Sequence, residues 1–317
     1  MLKWIGIIIG IIVVLLAAAW VKLRGPDIPY ETLEAKYTNG ASRFIDLPGG
    51  FHVHYQDDGD AGLPALVLLH GFGDSYTSWE GWVQQLKTKF HVLSVDFPGH
   101  GLTRAPAGYR LGAEDLADFV DAFAAQLGLP RFAVAGNSMG GGVAWQLAVR
   151  HPQRIDSLIL VDAAGFPNEK PPAAVPLAFK ILKYPLGRAL LRNIDNRPLI
   201  DEGLKVDVYD KALITPALVD RWADFQRAPG HRAILMSANL SSLGSASPAA
   251  LRGINVPTLI LHGENDVLIE PASAGKFAAA IPGAKVLIYP NVGHLPQIEI
   301  PQRSAADVAE FLEAAVP

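Results

Sequence analysis

Gly136-Asn137-Ser138-Met139-Gly140-Gly141-Gly142 is the stretch on which the fold turns. An apolar run, 132–135, precedes it, and a helix-like run, 143–150, follows. A serine with glycine two residues away on each side, set where a strand hands over to a helix, reads as a nucleophile elbow. Strand and helix pass so closely at such a turn that only glycine leaves room for both. The serine hydroxyl then projects at a helix N-terminus, where amide N–H groups and the helix dipole favour developing negative charge. Gly140-Gly141-Gly142 is not followed by the Lys-Ser/Thr of a phosphate loop, so its glycines serve close helix packing.

Outward from this turn, short apolar runs alternate with helical patterns. Residues 65–69, 92–95 and 158–161 read as buried strands, and 78–86 as a helix. Residues 113–127 read as an amphipathic helix, with apolar spacing at Leu116, Phe119, Val120 and Phe123. Ahead of them, 43–47 and 51–56 read as two strands joined by Pro48-Gly49-Gly50. The alternation predicts an α/β fold, a parallel sheet covered by helices on both faces. From Gly165 to Pro248 the rhythm breaks and only helical patterns appear. It resumes with strands at 258–261 and 286–289 and helices at 272–280 and 305–314. The expected organisation is an N-terminal segment over 1–24, a linker over 25–42, an α/β core over 43–164 and 249–317, and a helical cap over 165–248.

The 317 residues are 50 % apolar and 18 % charged, enough for a large core and unlike a disordered chain. A net charge of −4 without a basic run argues against nucleic acid as a partner. The absence of cysteine excludes disulfides, a thiol nucleophile, a cysteine zinc site and a lipoprotein anchor. The N-terminus departs from this ordinary composition. Residues 4–21 carry no charge, and a helix of about 20 such residues crosses a bilayer. Trp4 and Trp20 fall near the two ends, where amphipathic rings prefer the interface. Lys3 on one side and Lys22 and Arg24 on the other leave the orientation unassigned. The run exceeds a signal-peptide core of about 7–15 residues, so a single-pass membrane anchor is expected. The alternative is export after cleavage near Ala17-Ala18-Ala19.

Functional groups of open α/β sheets gather at the carboxyl ends of strands. Ser138 falls there, and so do Asp266, in His262-Gly263-Glu264-Asn265-Asp266, and His294, in Asn291-Val292-Gly293-His294. A serine hydroxyl is a poor nucleophile at neutral pH and needs a base with a pKa of about 6–7 in hydrogen-bond reach. His294 is the expected base, and Asp266 the group that fixes its tautomer and stabilises the imidazolium. Glu264 and Asp162 are rival acids. The oxyanion of a tetrahedral intermediate needs two donors. The backbone N–H of Met139 is one, and that of Phe72, in His70-Gly71-Phe72-Gly73, is the other. Asp96-Phe97-Pro98-Gly99-His100-Gly101 reads as a structural turn. His52 and His54 share a strand face without a third ligand, so they read as exposed structural histidines.

With these pieces in place, the chain resembles the α/β-hydrolase superfamily from about Arg43 to its C-terminus. The resemblance implies an eight-stranded, mostly parallel sheet, a cap between the sixth and seventh strands, and no metal or organic cofactor. Epoxide hydrolases and haloalkane dehalogenases carry an aspartate where this chain has Ser138. Carbon–carbon bond hydrolases of ring-cleavage products share the Gly-Asn-Ser-Met-Gly-Gly elbow but follow their histidine with tryptophan, where this chain has Leu295-Pro296. Esterases and monoacylglycerol-lipase-like enzymes, some with an N-terminal membrane segment, match better. The expected activity is therefore hydrolysis of carboxylic esters, small-molecule or lipid, by an acyl-enzyme route. A tether would raise the local concentration of lipidic esters. Leu177, Phe179, Ile181 and Leu182 are expected to line an apolar acyl pocket, the alternative being that they pack the cap's own core. Carbon–carbon hydrolysis instead calls for a cap arginine such as Arg188 or Arg192 to hold a substrate carboxylate, and a ligand receptor is the non-enzymatic alternative. Asn239-Leu240-Ser241 fits a glycosylation pattern, which carries meaning only in a eukaryotic secretory context.

Overall fold

The computed structural model describes residues 2–169, 171, 174–238 and 246–315, so the Asn239-Leu240-Ser241 pattern lies outside the described residues. The chain opens with α1 (Leu2–Leu23), α2 (Tyr30–Tyr37) and the hairpin β1 (Ser42–Leu47) and β2 (Phe51–Asp58). There follow β3 (Ala65–Leu69), α3 (Glu80–Leu86), β4 (His91–Val95), α4 (Ala113–Gln126), β5 (Phe132–Asn137), α5 (Met139–Arg150) and β6 (Ile155–Val161). Helices α6 (Leu177–Leu182), α7 (Pro185–Leu191), α8 (Arg197–Asp207), α9 (Pro216–Gln226), α10 (His231–Ser237) and α11 (Pro248–Leu251) separate β6 from β7 (Thr258–Gly263). The chain closes with α12 (Ala272–Ala280), β8 (Lys285–Tyr289), α13 (Pro296–Glu299) and α14 (Pro301–Ala315).

The eight strands form one sheet in the order β1-β2-β4-β3-β5-β6-β7-β8. β2 runs antiparallel to β1 and β4, and every pairing from β4 to β8 is parallel. β4 and β5 are buried throughout, which is why they read as continuous apolar runs rather than alternations. One core, on one face, includes Phe123, Trp145 and Phe277; the other includes Trp79, Trp82 and Phe311. Each such side chain contributes about 1.5–3 kcal/mol by leaving water. From β3 the chain passes to β4 on one side, whereas β5 passes to β6 on the other. Strand order therefore reverses between β3 and β5, and a crevice opens at their carboxyl ends.

The stretch 25–42 is more than a linker. It contains α2, whose Leu33 is buried with Tyr76, Leu102 and Phe225. Lys36 Nζ and Tyr37 Oη both donate to Asp224 on α9, at 2.8 and 2.9 Å. Before it, Gly25 N–H donates to Asn193 O at 2.9 Å and Asp195 N–H to Leu23 O at 2.8 Å, which joins the end of α1 to the α7–α8 loop. Among the described residues no helix is long and apolar enough to cross a membrane, and part of the run 4–21 lies outside that count.

Candidate active site

Ser138 sits between β5 and α5 with φ 54° and ψ −116°, a strained backbone region for a residue with a Cβ. The surroundings fix it there. Its N–H donates to Val161 O, and its carbonyl accepts from Gly142 and Ala164, each at 3.0 Å. A Cβ on Gly136 would stand 2.2 Å from Gly140 O, and one on Gly140 would stand 2.1 Å from Leu69 O, so the turn closes only with glycine. Asn137 Nδ2 donates to His294 O at 3.0 Å, which couples the loop after β5 to the loop after β8. The Ser138 hydroxyl makes no hydrogen bond among the described residues. Nucleophile–base contacts commonly tighten only with substrate bound.

The structure brings Asp266 and His294 together. His294 Nδ1 lies 2.7 Å from Asp266 Oδ2, and both residues are buried. Asp266 Oδ1 accepts from the N–H groups of Leu268 and Ile269 at 2.8 and 3.0 Å. Burial pushes the Asp266 carboxyl up, but His294 and His262 outweigh it and hold the group below the usual carboxylate range. An ionised Asp266 only accepts, so His294 Nδ1 donates and Nε2 is left as the ring nitrogen able to accept a proton. Burial pulls His294 down, the Asp266 carboxylate outweighs it, and the net shift is upward.

Of the rival acids, Glu264 is exposed. Asp162 is buried at the end of β6 with φ 44° and accepts from Gly263 N–H at 2.9 Å; burial pushes its carboxyl well up. Asp162, His262 and Asp266 bring potential metal-ligating atoms within 4.8 Å of one another. His262 Nε2, the ring nitrogen that faces both carboxylates at 3.5 Å, also meets Ile269 O at 3.0 Å; a carbonyl only accepts, so this nitrogen donates and is not a free ligand.

The N–H groups of Phe72 and Met139 have no hydrogen-bond partner among the described residues. Gly71 lies against Ser138, since a Cβ there would come within 3.4 Å of Ser138 Cβ. His70 shapes this loop, a role sequence reasoning missed. Its Nε2 accepts from Phe97 N–H at 3.1 Å, so its Nδ1 donates to Gly71 O, at 2.7 Å. Asp96, in the following loop, is structural. It accepts from the N–H groups of Tyr76 and Leu102 at 2.7 and 2.9 Å and meets His54 Nδ1 at 2.7 Å. His54 is therefore buried, not exposed; His52 meets Asp46 at 2.6 Å and remains partly exposed.

A cavity of about 100 Å³ lies beneath the cap. One face of α8 supplies Leu199, Ile200, Gly203, Leu204 and Asp207, with Asn196 just before it, and Phe72 and Trp222 close the cavity from other elements. Phe179 and Leu182 line it, whereas Leu177 points to solvent and Ile181 packs against Gly187; at about 3.6 residues per turn, positions 179 and 182 share one face of α6 and positions 177 and 181 the other. Asp207 is the functional neighbour that the sequence reading lacked. Its carbonyl accepts from His294 N–H at 2.6 Å; the residue lines the cavity, and its carboxyl, with Oδ1 buried and unpartnered, is pushed up to about 7 by burial. Glu299 clamps cap to core by accepting from Gly293 N–H at 2.8 Å and Tyr209 N–H at 2.7 Å.

Comparison with known sequences identifies the family. A family described as the alpha/beta hydrolase fold matches residues 64–301. The chain belongs to the α/β-hydrolase family. This hydrolase is 30 % identical over 274 residues to a 2-hydroxymuconate semialdehyde hydrolase of Pseudomonas sp. strain CF600, covering 85 % of this chain and 93 % of the relative. It is 29 % identical over 283 residues to a monoacylglycerol lipase of Xenopus laevis, covering 84 % and 80 %. Among solved structures, a membrane phospholipase A described as a bacterial virulence factor superposes with a TM-score of 0.75 at 26 % identity, covering 98 % of both chains.

Proposed function

We propose that this α/β-hydrolase cleaves neutral, lipophilic carboxylic esters through a serine acyl-enzyme. One observation carries the choice of substrate. The cavity under the cap is walled mostly by apolar side chains, is lined by Phe72 and by Asp207, whose carbonyl accepts from His294 N–H, and has no arginine among its described lining residues. Arg188 is spent on the carbonyls of Leu182 and Met236, at 2.7 and 3.2 Å, and Arg192 lines a different cleft. A dienoate carrying a carboxylate would meet an acid there without a counter-ion. A neutral ester with an apolar acyl group meets no such penalty.

Ser138 attacks the ester carbonyl as His294 Nε2 takes its proton. The N–H groups of Phe72 and Met139 receive the oxyanion, and the ionised Asp266 stabilises the imidazolium. His294 returns the proton to the departing alcohol, and water releases the acyl group by the same route. In this reading α1 is a single-pass anchor that holds the site near lipidic esters. Its described apolar side chains support that role, with Trp4 70 % exposed and Ile7, Ile8, Ile9, Ile11, Val14 and Leu15 exposed after it. So does the likeness of nearly the whole chain to a protein described as a membrane phospholipase.

The test is a comparison of p-nitrophenyl esters of increasing acyl length with a ring-cleavage dienoate. Rates that climb with acyl length and exceed dienoate turnover support the reading. Faster turnover of the dienoate favours carbon–carbon hydrolysis, and failure of a fluorophosphonate to label Ser138 favours a receptor.

A further inference from the structure

Helices α6 and α7 wall the cavity, and their apolar side chains face two ways. Phe179, Leu182 and Leu191 point into the cavity. Leu186 and Leu190 on α7, with Tyr184 just before it, point out, and Leu186 is 86 % exposed. A surface helix in water carries one apolar stripe and a polar opposite face. A helix pair apolar on both sides needs a second apolar medium.

Beside α7, the cap is bridged to the end of α1 through Asn193 and Asp195. A second cleft, of about 510 Å³, opens at this junction and is lined by Trp20, Arg24, Arg192 and Arg232 among others. Arg232 is buried and donates to Asp27 at 2.6 Å and to Ile194 O at 3.3 Å, while its Nε is buried without a partner. Asp27 balances one guanidinium. Arg24 and Arg192 have no acidic partner among the described residues, which leaves the cleft with two uncompensated positive charges. The exposed leucines of α7 are thus followed within a few residues by Arg192, whose cleft also holds Trp20 and Arg24 at the end of the apolar α1.

We propose that this face of the cap docks on a bilayer containing anionic phospholipid. Lipid phosphates sit among Arg24, Arg192 and Arg232, and Leu186 and Leu190 enter the acyl layer. The cap then takes its ester from the lipid phase, through the helix pair whose inner side lines the cavity. This inference rests on reading α1 as membrane-inserted and the cavity as an acyl site. Each unpaired arginine adds several-fold to partitioning on an anionic surface.

The experiment uses the full chain in vesicles of phosphatidylcholine, with and without phosphatidylglycerol. The wild type is compared with a double variant, Arg24→Gln with Arg192→Gln, and with a second, Leu186→Ser with Leu190→Ser. None of these residues is in the proposed catalytic machinery or the cavity lining. Hydrolysis of a long-chain ester dissolved in the bilayer is divided by that of p-nitrophenyl butyrate in water. In the wild type this ratio rises about tenfold when phosphatidylglycerol is added; both variants lose most of the rise and keep the butyrate rate. Variants that respond to phosphatidylglycerol as the wild type does overturn the proposal, while vesicle flotation and butyrate turnover leave the anchor and esterase readings standing. A wild type that does not float ends the anchor reading and this one with it. Calorimetric binding of glycerol phosphate without lipid, lost in the arginine variant, reassigns the cleft to a soluble phosphate.

Discussion

The imidazole of His70 donates from Nδ1 to the carbonyl of Gly71 at 2.7 Å. That carbonyl belongs to the same planar peptide as the N–H of Phe72, so the bond sets the direction of a proposed oxyanion donor. Losing one such donor outright costs about 10²–10³ in kcat. His70→Leu frees the plane without deleting the donor, so kcat on p-nitrophenyl butyrate is expected to fall by about tenfold to a hundredfold with KM little changed. His70 also accepts from Phe97, so a thermal melt accompanies the kinetics. An unchanged kcat in a folded variant contradicts the assignment.

The pH profile follows from His294. In the proposed mechanism it must be neutral to accept the serine proton, and its pKa is net raised, burial being outweighed by Asp266. The acidic limb of kcat/KM is therefore expected above the usual histidine range, with activity rising as pH rises through it. The Asp207 carboxylate also favours the imidazolium. Asp207→Asn removes that charge, so the limb moves to lower pH. A limb that stays put or moves up counts against the electrostatic link.

Substrate selection gives a separate reading of Asp207. In Asp207→Asn, the ratio of rates on an ester with a terminal carboxylate to rates on its methyl-capped twin is expected to rise about tenfold, as a like charge leaves a poorly solvated cavity. A constant ratio separates the cavity from substrate recognition.

Gly293 marks where cap meets core. A Cβ there would stand 2.3 Å from Asp207 O and 2.9 Å from Tyr209 N, both backbone atoms with little freedom to yield. Gly293→Ala is expected to destabilise the protein by about 1–3 kcal/mol, read by denaturant unfolding, and to lower activity by displacing His294 next door. A neutral substitution shows that the cap is looser than its hydrogen bonds suggest.

The parts legible in the sequence were those carried by local chemistry. The glycines around Ser138 are dictated by backbone clearance, and the strand-end positions of Asp266 and His294 follow from the α/β rhythm. Contacts between distant segments left weaker marks. Asp207 reaches His294 from the cap, and α2 docks on α9 through Asp224, with only Leu33 of α2 fully buried. His54 looked exposed because its partner, Asp96, lies on another strand's loop. Leu177 and Ile181, four apart, lie on the face of α6 opposite Phe179 and Leu182, so a run apolar on both faces does not by itself tell which face meets the cavity. Positions 199, 200, 203, 204 and 207, three or four apart, did carry a signal for the cavity face of α8.

The most direct test of the central claim is turnover of p-nitrophenyl butyrate by purified Ser138→Ala protein with an unchanged melting curve. The account predicts a loss of about 10⁴-fold or more in kcat, together with loss of fluorophosphonate labelling. A folded Ser138→Ala protein that hydrolyses the ester at the wild-type rate contradicts it.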